Sequence, residues 1–387
     1  MTAAAAHLRA DGKQPAPASG AAGAGGTTAA GGAAAVRTWL WLLVALVVAM
    51  AAVGAATRLT GSGLSITEWK PVTGAIPPLS EGAWAAEFER YRQTPQYELL
   101  NRGMSLPEFK TIYAWEWGHR QLGRLIGLAF FVPLLAFWWR GLVSTRLGLA
   151  LLGLGALGGL QAAVGWIMVA SGLQPGMVAV APVKLTLHLL LASLILSGLV
   201  WIATGLRSRP AEPAPRGLGW APFAFLALVL VQVALGGLVA GSKAGWTFNT
   251  WPLMDGALVP PASTLFAMGS WTDNLLANPA LIQWNHRVTA YALVAFALWQ
   301  AWATRRAAPG SAAAHRAGAL AGITLAQGAL GVATLLLVVP LWAGLAHQLL
   351  AMALLAMAVV HARLSLAPAA YTDRIAPPST LTRLPVT

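Results

Sequence analysis

Stretches of about twenty residues almost free of charge constrain this chain before anything else does. Wound as a helix rising ~1.5 Å per residue, such a run covers the ~30 Å hydrocarbon core of a bilayer. Eight are present, at roughly 39–57, 118–139, 147–170, 183–205, 219–241, 284–303, 317–338 and 343–361. They predict an all-α polytopic membrane protein with eight transmembrane helices. The wider composition agrees, since 57% of the 387 residues are hydrophobic and only 10% are charged. Segment 39–57 ends in "GAA", as a cleaved signal peptide would, but its counterpart later in the chain argues for a retained helix.

The net charge of +13 could suggest a nucleic-acid partner. Its placement argues for a lipid bilayer instead. With the amino terminus inside, the inside segments hold fourteen of the 25 basic residues, against only Asp11, Glu212 and Asp373. The long loop 58–117, on the other side, has six basic and seven acidic residues. This positive-inside bias puts both termini in the cytoplasm. The absence of cysteine excludes disulfides, thiolate metal sites and cysteine nucleophiles.

The chain is written twice. "GLSITEW" (63–69) follows the first apolar run and "GWTFNTW" (245–251) the fifth; each is followed by a Pro, a Gly and a Pro-Pro pair. The second run opens with "EWGHR" (116–120) and the sixth with "QWNHR" (283–287). The fourth holds "LTLHLLL" (185–191) and the eighth "AGLAHQLL" (343–350). Four spans is an even number, so both copies enter the membrane in the same sense, related by an axis along its normal. The expected architecture is two pseudo-symmetric four-helix bundles in a parallel repeat, a frame that holds cofactors between facing side chains.

Domain boundaries follow. Residues 1–36 are Ala/Gly-rich and read as a disordered cytoplasmic tail. Residues 37–206 form the first half, with 58–117 as its long outside loop, and 218–363 form the second. The Pro- and Arg-rich segment 207–217 is the cytoplasmic linker, and 364–387 a second tail. The loops 58–117 and 242–283, rich in Trp, Pro and Gly, are expected to fold over the bundles. Within the first, "SLPEF" (105–109) predicts a helix start, with Ser105 as N-cap and Glu108 closing a capping box.

Of the seven histidines, His7 lies in the tail, and His315 and His361 lie near cytoplasmic ends beside arginines. The other four are His119, His188, His286 and His347, all on even-numbered runs. Three follow a helix-starting proline by six or seven residues (Pro182, Pro279 and Pro340), about 10 Å along the axis. One histidine near a helix end is ordinarily a hydrogen-bonded interfacial residue. Four at matching depth, two per repeat, point to metal ligation. A cage of four imidazoles satisfies the pattern, but two per half, with no cysteine or acidic cluster at their depth, fit axial ligation of heme iron better. Arg120 and Arg287 each follow a histidine and suit heme propionates, or else snorkel to the interface. Lys184 and Lys243, near the same face, suit a propionate or a lipid headgroup.

The halves differ at one place. Glu116 stands three residues before His119, whereas Gln283 stands three before His286. Positions i and i+3 share a helix face. Glu116 is therefore expected to point toward whatever His119 binds, where a carboxylate moves protons or stabilises a developing cation. A helix-start acid favoured by the macrodipole, or a salt bridge to Arg120, accounts for it too.

"TRLTGSGLSITEWKPVTGAIPP" (57–78), "PQYELLNRGMSLPEFKTIYAWEWGHRQLGR" (95–124) and "GLVAGSKAGWTFNTWPLMDG" (237–256) resemble the heme A synthase family, in the form found in proteobacteria and mitochondria. The resemblance covers about residues 37–363. It implies eight spans in two halves, a place in the cell inner membrane, and oxidation of the C8 methyl group of heme O to the formyl group of heme A for terminal oxidases. It also implies heme b held by His286 and His347, the substrate heme by His119 and His188, and a catalytic part for Glu116. Some members carry loop cysteines; this sequence has none. The expected partners are heme O, an electron donor or acceptor and the enzyme that makes heme O, with self-association left open. Two other functions compete. A bis-histidine diheme b-type electron carrier explains the histidines but not the patterned loops or the Glu116/Gln283 difference. A transporter would want polar residues at the midplane, where the runs are nearly pure Ala, Leu, Val and Gly.

Overall fold

A computed structural model describes residues 23–207 and 213–366, with side chains from residue 31 onward. Among them the fold is helical, and the one extended pairing is the isolated bridge between Met254 and Ala257. The elements are α1 (Gly23–Leu59), α2 (Glu81–Arg92), α3 (Pro95–Leu100), α4 (Leu106–Trp139), α5 (Thr145–Gly172), α6 (Pro182–Gly205), α7 (Ala221–Gly241), α8 (Ala262–Leu265), α9 (Trp271–Ala277), α10 (Pro279–Ala307), α11 (Ala312–Leu336) and α12 (Leu341–Leu364).

Seven of these, α1, α4, α5, α6, α7, α11 and α12, are long and apolar enough to cross a membrane. The eighth expected span, 284–303, lies in α10, a helix of 29 residues, roughly 44 Å long. Gln283, Asn285, His286, Arg287 and Gln300 dilute its apolar run. The polarity is directed inward, since Gln283, Arg287 and Gln300 are all buried.

The tail expected over 1–36 falls mostly outside the described residues. Residues 1–22 lie outside the described part, but 23–36 are already helical. The linker and second tail fall partly outside the description, at residues 208–212 and 367–387. The start of α4 is as expected: Glu108 accepts from the Ser105 N–H at 2.8 Å and from its hydroxyl at 2.7 Å. The second helix of the first half thus begins well before its apolar run and carries Glu116 and His119 with it.

Helix α1 packs on α4 and α6, α4 on α5, and α5 on α6. Likewise α7 packs on α10 and α12, α10 on α11, and α11 on α12. The two sets meet through α6 with α7, α1 with α12, and α6 with α12. One continuous core runs through both, with Leu40, Leu134, Leu196, Phe225, Leu320 and Leu355 almost fully buried. The α11–α12 turn is strained. Val338 and Val339 take φ of 58° and 56°, a left-handed region that β-branched residues avoid. Asn249 steadies the turn by donating to the Leu335 carbonyl at 2.8 Å, and Pro340 then starts α12, the helix that carries His347.

Candidate heme-binding site

The four histidines occupy four different helices, His119 on α4, His188 on α6, His286 on α10 and His347 on α12. All four rings are half-buried. The four stand two per half of the chain, His119 and His188 in the first and His286 and His347 in the second. Among the described residues no three His, Cys, Asp or Glu side chains converge. No cluster of four imidazoles forms among them.

Each imidazole lies against a glycine of the long helix that precedes its own. A Cβ on Gly54 of α1 would sit 2.9 Å from His119 Nε2. On Gly165 of α5 it would sit 2.8 Å from His188 Cε1, and on Gly331 of α11, 2.9 Å from His347 Cε1. Gly236 of α7 is slightly roomier, at 3.3 Å from His286 Cε1. Real Cβ contacts are not made below 3.0 Å, so three of these rings occupy space that only glycine leaves. Of the small-residue stretches in the sequence, 153–160 contributes no glycine to a histidine, and 234–237 contributes Gly236.

One helical turn before three of those glycines stands a glutamine. Gln161 Nε2 lies 3.2 Å from His188 Nε2 and donates to the His188 carbonyl at 3.1 Å. Gln232 Nε2 lies 3.1 Å from His286 Nδ1 and donates to the His286 carbonyl at 3.0 Å. Gln327 stands to His347 at the same two distances, 3.1 Å and 3.0 Å. The Oε1 atoms of all three glutamines are buried without a hydrogen-bond partner. Sequence reasoning missed these residues, although the signal is legible: "QAAVG" (161–165), "QVALG" (232–236) and "QGALG" (327–331) share one spacing, and "MAAVG" (50–54) is the fourth copy with Met50 in place of Gln.

The two arginines are engaged with loops. Arg120 Nη2 donates to the Ile66 carbonyl at 3.0 Å, and Arg287 Nη2 to the Phe248 carbonyl, also at 3.0 Å. Ile66 and Phe248 are the fourth residues of "GLSITEW" and "GWTFNTW", so the repeat extends to this bond. Arg120 reaches on to the Glu68 carbonyl and Arg287 to that of Leu253. Arg120 also lies 5.7 Å from the Trp166 ring, which stacks on Trp69 of the loop at 5.9 Å. These contacts fold the first loop over the helix ends beside Gly165.

Glu116 is buried, at 3% exposure, and is held from three sides. Its Oε1 pairs with Arg120 at 2.6 Å, and its Oε2 accepts from the Ser65 hydroxyl at 2.8 Å and the Ile66 N–H at 2.9 Å. Gln283, at 3% exposure, holds the same place in the second half. Its Oε1 accepts from Arg287 at 2.8 Å and its Nε2 donates to the Ala244 carbonyl at 2.7 Å. The salt bridge to Arg120 raised by the sequence is present, joined by a loop anchor that spacing within one helix could not reveal. Among the described residues Arg287 forms no ion pair with a carboxylate, and its Nε is buried without a partner.

Residues 37–359 match the COX15-CtaA family, described as cytochrome oxidase assembly protein. Among curated proteins, the chain is 69% identical over 331 residues to the heme A synthase of Methylobacterium sp. (strain 4-46), covering 85% of this chain and 92% of that one. It is 67% identical over 321 residues to the heme A synthase of Methylobacterium nodulans, covering 83% and 89%. With the heme A synthase of Brucella ovis it shares 48% over 332 residues, covering 85% and 91%. No solved structure matches. With seven apolar helices, two imidazoles in each half and a match over most of its length, the chain belongs to the COX15-CtaA family of cytochrome oxidase assembly proteins.

Proposed function

We propose that this chain is a membrane oxidoreductase that oxidises the C8 methyl group of heme O to a formyl group, making heme A for terminal cytochrome oxidases. The observation that carries the reading is the lodging of each of four imidazoles against a helix glycine, two per half, in a chain 69% identical to a heme A synthase. The architecture of this reading is eight spans in two four-helix bundles, 37–206 and 218–363, parallel in the membrane. The closed neighbour relations of α1, α4, α5 and α6, and of α7, α10, α11 and α12, support it. So does the recurrence of the arginine–loop bond at equivalent positions. The positive-inside bias supports an inner-membrane protein with both termini in the cytoplasm.

A resident heme b in the second half suits the residues there. The donors are two imidazoles, and a ring is given room where a Cβ would intrude. His286 and His347 would hold it, and it would supply one-electron transfer. Arg287 faces a neutral amide and forms no ion pair with a carboxylate among the described residues, so its buried guanidinium suits a propionate. Heme O, the substrate, would take His119 and His188.

Glu116 is the proton-accepting or charge-stabilising group of this mechanism. Arg120 and the Ile66 N–H hold its carboxylate in place. The Ser65 hydroxyl is the one donor that can turn away by rotating a single bond, so a proton is taken up at Oε2 without moving the loop backbone. Gln283, fully used between Arg287 and Ala244, has no such capacity.

The test is to purify the protein expressed beside a source of heme O, and to extract and chromatograph its hemes. Heme B together with heme A or a hydroxylated heme O is expected. Heme B alone, with heme O available, would replace this reading with the diheme electron carrier.

A further inference from the structure

We propose that the part of the α4–α5 seam next to the histidines is a lateral passage from the bilayer into the first half, and that heme O enters through it with its isoprenoid side chain lying in the seam. The inference deepens the heme O reading above and rests on it. Near their shared turn the two helices are locked together. A Cβ on Gly148 would sit 2.9 Å from Trp138 Cε2, and one on Gly155 would sit 2.9 Å from Phe131 Cζ and 3.1 Å from Phe130 Cε1. Toward the histidines the helices part. Gly158 and Gly159 continue the Gly155 face of α5 by one turn, and Gly127 continues the Phe130 and Phe131 face of α4. A Cβ on any of these three glycines would meet nothing within 4 Å. Residues 156–160 are all exposed. That stretch exceeds one helical turn, so α5 has no covered face there.

The second half closes the same seam. Thr324 stands seven residues before Gly331, as Gly158 stands seven before Gly165, and Thr324 is buried at 3% exposure. Ala321, the counterpart of Gly155, is buried as well. Val294 follows His286 by eight residues, as Gly127 follows His119, and its Cγ2 lies 3.9 Å from the place of a Cβ on Gly328. Helices α10 and α11 accordingly pack far more extensively than α4 and α5. A half that keeps its heme has no use for an opening, whereas a half that exchanges substrate for product needs one. The lining selects the occupant. Leu128, Phe131, Leu157 and Leu160 are exposed on these turns, and no side chain within 125–131 or 153–160 is polar. Such a surface takes hydrocarbon and not a charged group. Heme O carries one long isoprenoid chain on a flat ring, and that chain matches the seam while the ring goes on to His119 and His188.

The chain has no cysteine, so two introduced ones can be linked to each other without side reaction. The full chain carrying Gly127→Cys and Gly158→Cys is purified, bridged with a bifunctional methanethiosulfonate and compared with its unlinked form. The quantity read is uptake of heme O from phosphatidylcholine vesicles, by re-isolating the protein and chromatographing its extracted hemes. Bridging is expected to slow uptake by about tenfold or more, the rate equivalent of crowding a filled passage, and reduction of the bridge to restore it. Heme B content should not change, since the second half is untouched. Gly158→Trp, which fills the seam without a bridge, should slow uptake in the same way. Equal rates before and after bridging overturn the proposal, and that is the result if the seam holds bilayer lipid only. The two levels of the argument fail differently. If the unlinked protein takes up no heme O, the substrate reading itself falls. If linked and unlinked protein take it up alike, only the passage falls.

Discussion

At the mouth of the first half an acid faces an arginine; at the mouth of the second an amide does. Part of what surrounds that difference is shared. Arg120 and Arg287 grip the fourth residue of the same loop motif at the same 3.0 Å. Glu116 and Gln283 each accept from that arginine and each tie down the loop backbone, one as acceptor from Ile66 and the other as donor to Ala244. In the second half a neutral amide makes the clamp because its loop partner is a carbonyl; in the first half the partners are the Ile66 N–H and the Ser65 hydroxyl, both donors, and the clamp itself calls for an acceptor.

The largest effect expected from this comparison is on turnover. Glu116→Gln keeps an acceptor for Arg120 but sets an Nε2 donor against the Ile66 N–H, so part of the clamp is lost; heme binding should remain, yet heme A formation should fall by about 10²–10⁴-fold, the usual range for losing a general acid–base group. Heme chromatography of the variant checks this, and unchanged conversion would return Glu116 to a purely structural role. Truncation comes next. Glu116→Ala leaves Arg120 without its counter-charge and should destabilise the fold by about 3 kcal/mol. Gln283→Ala, which removes one hydrogen bond from a guanidinium and one neutral hydrogen bond but no counter-charge, should cost about 2 kcal/mol. Thermal unfolding of the two variants in the same detergent gives the ordering, and equal losses would show that the charge at Glu116 matters little to stability. In the opposite direction, Gln283→Glu places a carboxylate beside Arg287. The midpoint potential of heme b should drop, on the order of tens of millivolts, or ~1 kcal/mol for a one-electron couple.

The smallest effect concerns the loops themselves. The first loop carries a network in which Glu68 and Glu87 pair with Lys70 and Arg90 at 2.6–3.4 Å. The hydrogen bond from Lys70 holds the Glu68 carboxyl below its ordinary range. A group depressed in the folded state contributes stability above its unfolded value, near pH 4, and loses that contribution as pH falls through the folded value. These pairs are largely exposed, so the effect is slight. Hydrogen exchange of residues 60–105 should quicken modestly below about pH 4, while that of 242–278, for which no such network is present among the described residues, should not. Equal responses in the two loops would deny the network any stabilising part.

How much of this was legible beforehand depended on what carried the signal. Apolar runs announced seven spans because lipid exposure is written in side-chain composition. They also announced α10, where inward-facing Gln283, Arg287 and Gln300 weaken the same measure. The capping box at Ser105 was legible because both its members are side chains at fixed spacing. The destinations of Arg120 and Arg287 were not, because a backbone carbonyl looks alike at every residue and nothing in the sequence singles out Ile66 or Phe248. The α2 and α3 helices of the first loop, capped by Ser80 and Thr94, were also passed over. The glutamines escaped for a different reason. Attention went to the residues that could bind iron, on the even-numbered runs, while the matching pattern lay on the odd-numbered ones.

The glycines beside the rings extend that last point. Gly54, Gly165, Gly236 and Gly331 contribute no donor, no acceptor and no charge, yet a methyl group at three of them would drive into an imidazole. Insertion of one methylene-sized group into a filled site ordinarily costs about 1–3 kcal/mol, and here the displaced atom belongs to an imidazole. In a saturation-mutagenesis map of this chain, the odd-numbered helices should therefore show narrow bands of intolerance as deep as those at the histidines. The shape of the reaction chamber would be recorded at positions where the protein has no side chain at all.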